Sequence, residues 1–225
     1  DERLSEEQLQ LIAHWADNGA PQGNPENLPP VPEFRDSNEW RLGPPDLVIP
    51  LQDLYVAGDA ADVWVGGTPV LTGLTEDRYV SAVDMREVND VQSSDAGGTI
   101  VGGLYIVHHM TWQTTVIGAG DERDTWPVHE LGRNPDIFDP KAGRLLAAGS
   151  SVMPLTYHLH SNGRDTNGHM ELGFYFHPKG YEPKHKKALW SLGDGLNISI
   201  QGNMPGQELH TYTVLKEHTK ISSFE

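Results

Sequence analysis

The beginning of the chain has the pattern of one short amphipathic helix. Apolar residues recur there every three or four positions, at Leu9, Ile12, Ala13 and Ala16. Ser5 and Gln8 form an S-x-x-Q capping box, which satisfies amide donors at a helix start, and Asn18 with Gly19 is a typical stop signal. The pattern predicts a helix within residues 1–20. Because so short a helix is not stable alone, we expect it to pack against something.

A proline-rich segment follows the predicted helix. Pro21 to Pro32 contains five prolines, together with Gly23 and Asn24. Proline rings, and the residues that precede them, are largely excluded from helical geometry. We therefore predict an extended linker over residues 21–38.

From Trp40 onwards the pattern changes to short apolar runs separated by glycine, proline and asparagine. The predicted strands are Leu47–Leu51, Asp62–Val65, Tyr79–Arg86, Thr99–Trp112, Leu145–Leu155, Leu172–His177, Leu196–Gln201 and Leu209–Leu215. Such punctuation is typical of antiparallel hairpins, and no helical spans separate the strands, as a parallel sheet would require. The pattern predicts a mainly β fold, an antiparallel β-sandwich of jelly-roll type, over residues 39–203. Residues 204–225 are expected to begin a second, truncated β domain.

Composition narrows the function classes. The 16 Lys and Arg against 32 Asp and Glu give a formal net charge of −16, which argues against a nucleic-acid partner that needs a basic face. There is no cysteine, so disulfides, thiolate zinc sites and covalently attached c-type haem are excluded within this chain. No apolar run approaches the roughly 20 residues of a transmembrane helix, and no membrane span is expected.

Two histidine pairs are the best candidates for chemistry. His108 and His109 are adjacent in a predicted strand, where neighbours point to opposite faces, so both reach one ion only if the backbone bulges or turns. His158 and His160 are two apart and share a face. Imidazole ligands suit copper and zinc, and the absence of thiolates and of an H-E-x-x-H helix argues against the common zinc enzyme classes. The alternative is that these are hydrogen-bonded, half-buried structural histidines.

Four segments in order resemble the first domain of the copper type II, ascorbate-dependent monooxygenases, the peptidylglycine alpha-hydroxylating and dopamine beta monooxygenases. They are Val107-His108-His109, residues 142–150 (A-G-R-L-L-A-A-G-S), residues 155–163 (L-T-Y-H-L-H-S-N-G) and residues 172–176 (L-G-F-Y-F). Residues 4–27 resemble the last helix of a c-type cytochrome domain that precedes this module in bacterial members. The resemblance covers nearly the whole chain.

The resemblance implies a copper-binding, electron-transfer domain in a jelly roll. It assigns one copper ion to His108, His109 and His158, with His160 as an alternate ligand or a supporting neighbour. The oxygen-activating second copper site of the family has no counterpart here, so the chain alone is not expected to hydroxylate a C–H bond. Implied partners are a second copper domain, or the remainder of the same polypeptide, and a c-type cytochrome. Haem is expected only in an upstream domain or partner, and the implied location is periplasmic or extracellular.

Two other readings stay open at this point. One is a noncatalytic β-sandwich binding module, with exposed aromatic side chains as a ligand platform: Trp64, Trp112, Trp126 and Trp190. The other is a structural subunit of a periplasmic or extracellular assembly, in which the acidic surface serves solubility.

Overall fold

The computed structural model describes residues 4–30, 39–91, 103–116, 123–186, 199–215 and 218–221. The chain divides into two compact units, Asp1–Asp36 and Ser37–Glu225. The domain limits predicted within the second unit, 39–203 and 204–225, remain predictions.

The first unit contains the predicted helix, α1 (Glu6–Asp17). Both halves of the capping box are present: the Ser5 hydroxyl accepts a hydrogen bond from the Gln8 amide at 3.2 Å, and the Gln8 side chain accepts one from the Ser5 amide at 2.8 Å. Gly19 follows the C-cap with a φ of +79°, the left-handed geometry that glycine adopts easily. Residues 4–30 are all exposed, so the packing partner expected for this helix stays a prediction.

The predicted linker is only partly described. It contains one 3₁₀ turn, Pro25–Asn27, capped by the Asn24 side chain, which accepts a hydrogen bond from the Glu26 amide at 3.0 Å. Residues 31–38 lie outside the described part of the chain.

The second unit is built from strands. In chain order, those found in the described residues are β1 (Leu47–Pro50), β2 (Leu54–Val56), β3 (Val63–Val65), β4 (Val70–Leu71), β5 (Arg78–Asn89), β6 (Val107–Val116), β7 (Arg123–Thr125), β8 (His129–Glu130), β9 (Asp136–Ile137), β10 (Ala142–Leu146), β11 (Ser150–Leu159), β12 (Thr166–Phe176) and β13 (His185–Lys186).

These strands form two sheets. The first has the order β1-β12-β5-β10-β13, with β2 added to β12 and β9 to β5; the second has the order β3-β11-β6-β7, with β4 added to β11 and β8 to β6. All pairs are antiparallel except the short β10–β13 pair. Late strands are inserted between early ones in each sheet, β12 between β1 and β5 and β11 between β3 and β6. This is the double Greek-key connectivity of a jelly roll, and it confirms the predicted sandwich.

A buried aromatic group lies at the centre of the core. Trp112 stacks on Trp126 with ring centroids 5.2 Å apart, and Phe174 of the first sheet contacts both edge-on. The indole N–H groups are satisfied as burial requires: Trp112 donates to the Pro127 carbonyl and Trp126 to the Thr114 hydroxyl, each at 2.8 Å. Side chains of β6 and β12 thus join the two sheets.

The prediction of a single strand over Leu145–Leu155 was wrong. The structure has two strands there, β10 and β11, and they belong to different sheets. Gly149 turns the chain between them with a φ of +67°. Because Ala147 and Ala148 continue the apolar run, no polar residue marks the break.

The prediction of a strand over Leu209–Leu215 was also wrong. This segment has no regular secondary structure, and its side chains are exposed. Apolar alternation favours a strand only where a partner supplies hydrogen bonds, and no described strand pairs with it. Of the predicted strand Leu196–Gln201, residues 196–198 lie outside the described residues, and 199–201 are not in a strand.

Two further features complete the fold. Of the predicted strand Thr99–Trp112, residues 99–102 lie outside the described part of the chain and 103–106 are not in a strand, so β6 begins at Val107. Across the described chain, no helix has the length and apolar character needed to cross a membrane.

Candidate metal centre

A β-bulge places His108 and His109 on the same side of β6. In the β6–β11 pairing, His109 lies opposite His158, and Val107 lies opposite the next residue, Leu159. His108 is therefore the extra residue, with no partner across the ladder. A bulge rotates the side chains next to it, which meets the condition under which adjacent histidines can reach one ion.

The ring nitrogens of three histidines converge at this bulge. His108 Nδ1 lies 2.7 Å from His109 Nδ1, and His109 Nδ1 lies 3.2 Å from His158 Nδ1. All three side chains are partly buried, and their candidate ligand atoms lie within 4.8 Å of one another. The three residues could therefore hold a metal ion, and they are the three to which the family resemblance assigns it.

His160 lies beside this group. Its ring centroid is 4.4 Å from that of His108 and 4.5 Å from that of His158. Its Nε2 atom is buried and has no hydrogen-bond partner among the described residues. Its acidic neighbour is the Asp62 carboxylate, 3.4 Å away, and no hydrogen bond forms between them. All four predicted site residues are thus brought together.

A carboxylate that the sequence analysis missed lies at the rim. Asp62 Oδ2 is 3.4 Å from His160 Nε2 and 3.8 Å from His158 Nε2, and the three residues form a second group that could hold a metal. In the β3–β11 pairing, Leu159 lies opposite Val63. The same register brings Asp62 to the position opposite His160. Only knowledge of that register would have pointed to Asp62.

Trp64 covers one face of the histidine group. Its ring stacks on His158 with centroids 4.1 Å apart and an interplanar angle of 6°. Trp64 is nevertheless 58 % exposed, whereas Trp112 and Trp126 are fully buried, and Trp190 lies outside the described residues. The proposed row of exposed tryptophans is therefore wrong for Trp112 and Trp126, because both fill the core.

The electrostatics of the site favour a neutral His108 ring. Burial lowers the pKa of His108 from its ordinary value, and the adjacent rings of His109, His160 and His158 lower it further. A neutral imidazole offers the lone pair that a metal ligand needs. Burial and the neighbouring rings thus disfavour protonation of His108 and suit it to bind a cation.

His129 lies behind the site on β8, opposite Met110 of β6. Burial, with a smaller contribution from the Arg41 charge, lowers the pKa of His129 to about 4. This ring is neutral at pH 7. His129 belongs to neither group of described residues that could hold a metal.

The comparisons with known proteins add no identity. No family model matches the chain, and no curated protein or solved structure matches it significantly. The functional argument therefore rests on the site itself.

Proposed function

We propose that this chain is a copper-binding, electron-transfer domain of a copper-dependent monooxygenase-like oxidoreductase. The observation that carries the proposal is the convergence of His108, His109 and His158 at a β-bulge, with ring nitrogens 2.7 and 3.2 Å apart. The order of the sequence segments that resemble the copper type II monooxygenases, which include these histidines, also supports the proposal.

The donor set fits copper. The candidate ligands are imidazoles with one carboxylate at the rim, and the chain has no cysteine. Imidazole binds copper and zinc well, whereas calcium and magnesium prefer sites made of oxygen ligands. Two ring nitrogens 2.7 Å apart can share a proton, or can both bind one metal ion that lies to the side of the line joining them, since metal–nitrogen distances are about 2 Å. Copper, unlike zinc, would also supply one-electron redox chemistry at this position.

The two nitrogens of His158 have different surroundings. Nδ1 faces His109, whereas Nε2 faces the Asp62 carboxylate at 3.8 Å. A neutral imidazole carries one lone pair and one N–H. We assign the lone pair to Nδ1 and the N–H to Nε2, because a carboxylate favours the donor on its side. At 3.8 Å the Asp62 carboxylate favours this tautomer of His158 without a hydrogen bond to it. In this proposal Asp62 is not needed as a ligand, and the two overlapping groups describe one centre.

The proposed electron-transfer role needs a ligand geometry that changes little between Cu(I) and Cu(II). His108 and His109 on β6 and His158 on β11 lie in the interior of the second sheet, and these two strands are paired over nine registered positions. Ligands on rigid elements keep their geometry, which lowers the reorganisation that electron transfer requires. Trp64, exposed and stacked on His158, leaves the centre close to the surface, where a donor could approach.

The oxygen-activating step belongs elsewhere in this proposal. Within the described residues, two groups of histidine and acidic residues could hold a metal. Both groups contain His158, so together they provide one centre. Hydroxylation of a C–H bond would need a second copper domain in the remaining polypeptide or a partner chain. A c-type cytochrome, as an upstream domain or a partner that holds the haem, is the proposed electron donor, and a periplasmic or extracellular location is part of the same proposal.

Reversible reduction of the loaded protein tests the proposal. Purified chain is incubated with Cu(II), excess metal is removed, and the Cu(II) spectrum is followed during reduction by ascorbate and reoxidation by air. We expect about one copper per chain that cycles without loss. His210→Ala is the control for the loss of a histidine outside the site, because His210 is 84 % exposed and lies outside the histidine group. This variant should bind and cycle copper like the wild type. Failure to retain copper, or retention without redox cycling, would leave the binding-module and structural-subunit readings.

A further inference from the structure

A buried carboxylate of the first sheet reaches the strand that carries His108 and His109. Glu87 on β5 is only 6 % exposed. Its Oε2 accepts a hydrogen bond from the Val107 amide at 2.8 Å, and its two oxygens accept from the Ile106 amide at 3.0 and 3.1 Å. The Asn89 side chain donates to Oε1 at 2.7 Å and also to the Leu104 carbonyl at 2.7 Å. Glu87 thus joins the two sheets immediately before the metal centre.

The burial of Glu87 is not explained by an ion pair. Among the described residues no cation lies within salt-bridge distance of it, and burial raises the pKa of this carboxyl while its hydrogen bonds oppose the rise. Taking a carboxylate out of water is expensive, and amide donors compensate only part of that cost. An apolar side chain at position 87 would avoid this desolvation cost, but it could not accept hydrogen bonds from the Ile106 and Val107 amides.

The hydrogen bonds of Ile106 connect Glu87 to both histidine pairs. The Ile106 amide donates to Glu87, whereas the Ile106 carbonyl accepts from the His160 amide at 2.9 Å. The bulge at His108 begins two residues further along, directly after Val107. The contacts of one carboxylate therefore fix the backbone from which His108 and His109 project and, through Ile106, the backbone of His160.

We propose that Glu87 is a positioning residue for the metal centre: it holds the start of β6 so that the bulge presents His108 and His109 to one cation. This inference rests on the proposed function. Loss of groups that orient metal ligands typically costs 10- to 100-fold in metal affinity. We expect Glu87→Gln to weaken Cu(II) binding by about tenfold or more, because the new amide group turns one acceptor into a donor that faces a backbone N–H.

The matched control is Asp124→Asn. Asp124 on β7 accepts from the Arg144 guanidinium at 2.7 Å and, like Glu87, joins the two sheets. It pairs with Thr114, six residues along β6 from His108. The substitution therefore disturbs a polar contact between the sheets but leaves the bulge intact. A general loss of stability would affect both variants, whereas a positioning role affects only Glu87→Gln.

Three readouts are compared in the full chain: Cu(II) affinity by competition with a chelator, the electron paramagnetic resonance spectrum of bound Cu(II), and amide hydrogen exchange at Ile106 and Val107 in the metal-free protein. We expect Glu87→Gln to lose affinity, to change the spectrum and to accelerate exchange at both amides. Asp124→Asn should resemble the wild type in all three. If Glu87→Gln does not fold, Asn89→Ala takes its place, with a smaller loss of affinity in the same direction.

Some outcomes overturn the inference but leave the proposed function standing. These are wild-type affinity and spectrum in Glu87→Gln, or in Asn89→Ala where it replaces that variant, and an equal loss in Asp124→Asn. If the wild-type chain binds no copper, the proposed function fails and the inference fails with it, so the two failures are distinguishable.

Discussion

His108 and His109 are neighbours in the chain, yet their Nδ1 atoms lie 2.7 Å apart. In a regular strand their side chains would point to opposite faces of the sheet. The bulge opposite His158 removes this separation. The metal centre therefore depends on one irregularity in the pairing of β6 with β11. The contribution of each histidine to metal binding can be measured by replacing that histidine alone.

The first prediction separates His158 from His160. His158→Ala should abolish stoichiometric copper binding, because it removes the Nδ1 atom that lies 3.2 Å from His109 Nδ1. His160→Ala should retain one copper with an affinity reduced by about tenfold, since loss of a supporting group has that order of effect. Copper content after gel filtration and chelator competition measure the two effects. The reverse ranking would make His160 the third ligand.

The second prediction uses Trp64 as a reporter. Its ring stacks on His158 at 4.1 Å, so bound Cu(II) should quench Trp64 emission more strongly than that of tryptophans outside the site. Trp64→Phe should remove most of the copper-dependent quenching and still bind one copper. The control is Trp40→Phe in the same unit, whose ring contacts the Arg86 guanidinium at 4.4 Å and not the histidine group, and this variant should quench like the wild type. Quenching that survives Trp64→Phe undiminished would contradict the position of the site.

The third prediction concerns pH. The pKa of His129 is about 4 in the folded chain and is expected near 6.5 when unfolded. Between these values the unfolded state binds the proton more readily, so the contribution of the neutral ring is present above pH 6.5 and is lost as the pH falls towards 4. The full difference corresponds to about 3 kcal/mol of unfolding free energy.

Denaturant unfolding of the metal-free protein between pH 4 and 7 checks this contribution. His129→Gln removes the titrating ring, so its free energy of unfolding should fall less steeply with decreasing pH than that of the wild type. His210→Gln, at an exposed position, should follow the wild type. Parallel curves for His129→Gln and the wild type would show that the ring is not held neutral by the fold.

The fourth prediction concerns the core between the sheets. Phe174 is fully buried and packs edge-on against Trp112 and Trp126. Phe174→Ala should lower the free energy of unfolding by about 3–5 kcal/mol, the usual cost of such a cavity. Tyr212→Ala, at a side chain that is 88 % exposed, should change it little. A loss below 1 kcal/mol for Phe174→Ala would contradict the packing described here.

Local features were predictable from the sequence, and features that depend on pairing were not. The capping box of Ser5 and Gln8 and the shared face of His158 and His160 follow from spacing along the chain. The bulge at His108 and the approach of Asp62 depend on which residue of β11 lies opposite, and nothing in the neighbouring residues specifies that. For the same reason the strand character of 209–215 was misleading, because no described strand pairs with it.

Diffraction from copper-loaded crystals at the copper absorption edge tests the central claim most directly. The account predicts one anomalous density peak, from a copper ion bound by the ring nitrogens of His108, His109 and His158. This peak should be absent from crystals of His108→Ala. A peak elsewhere on the chain, or copper-soaked crystals in which these three rings bind no metal, would contradict it.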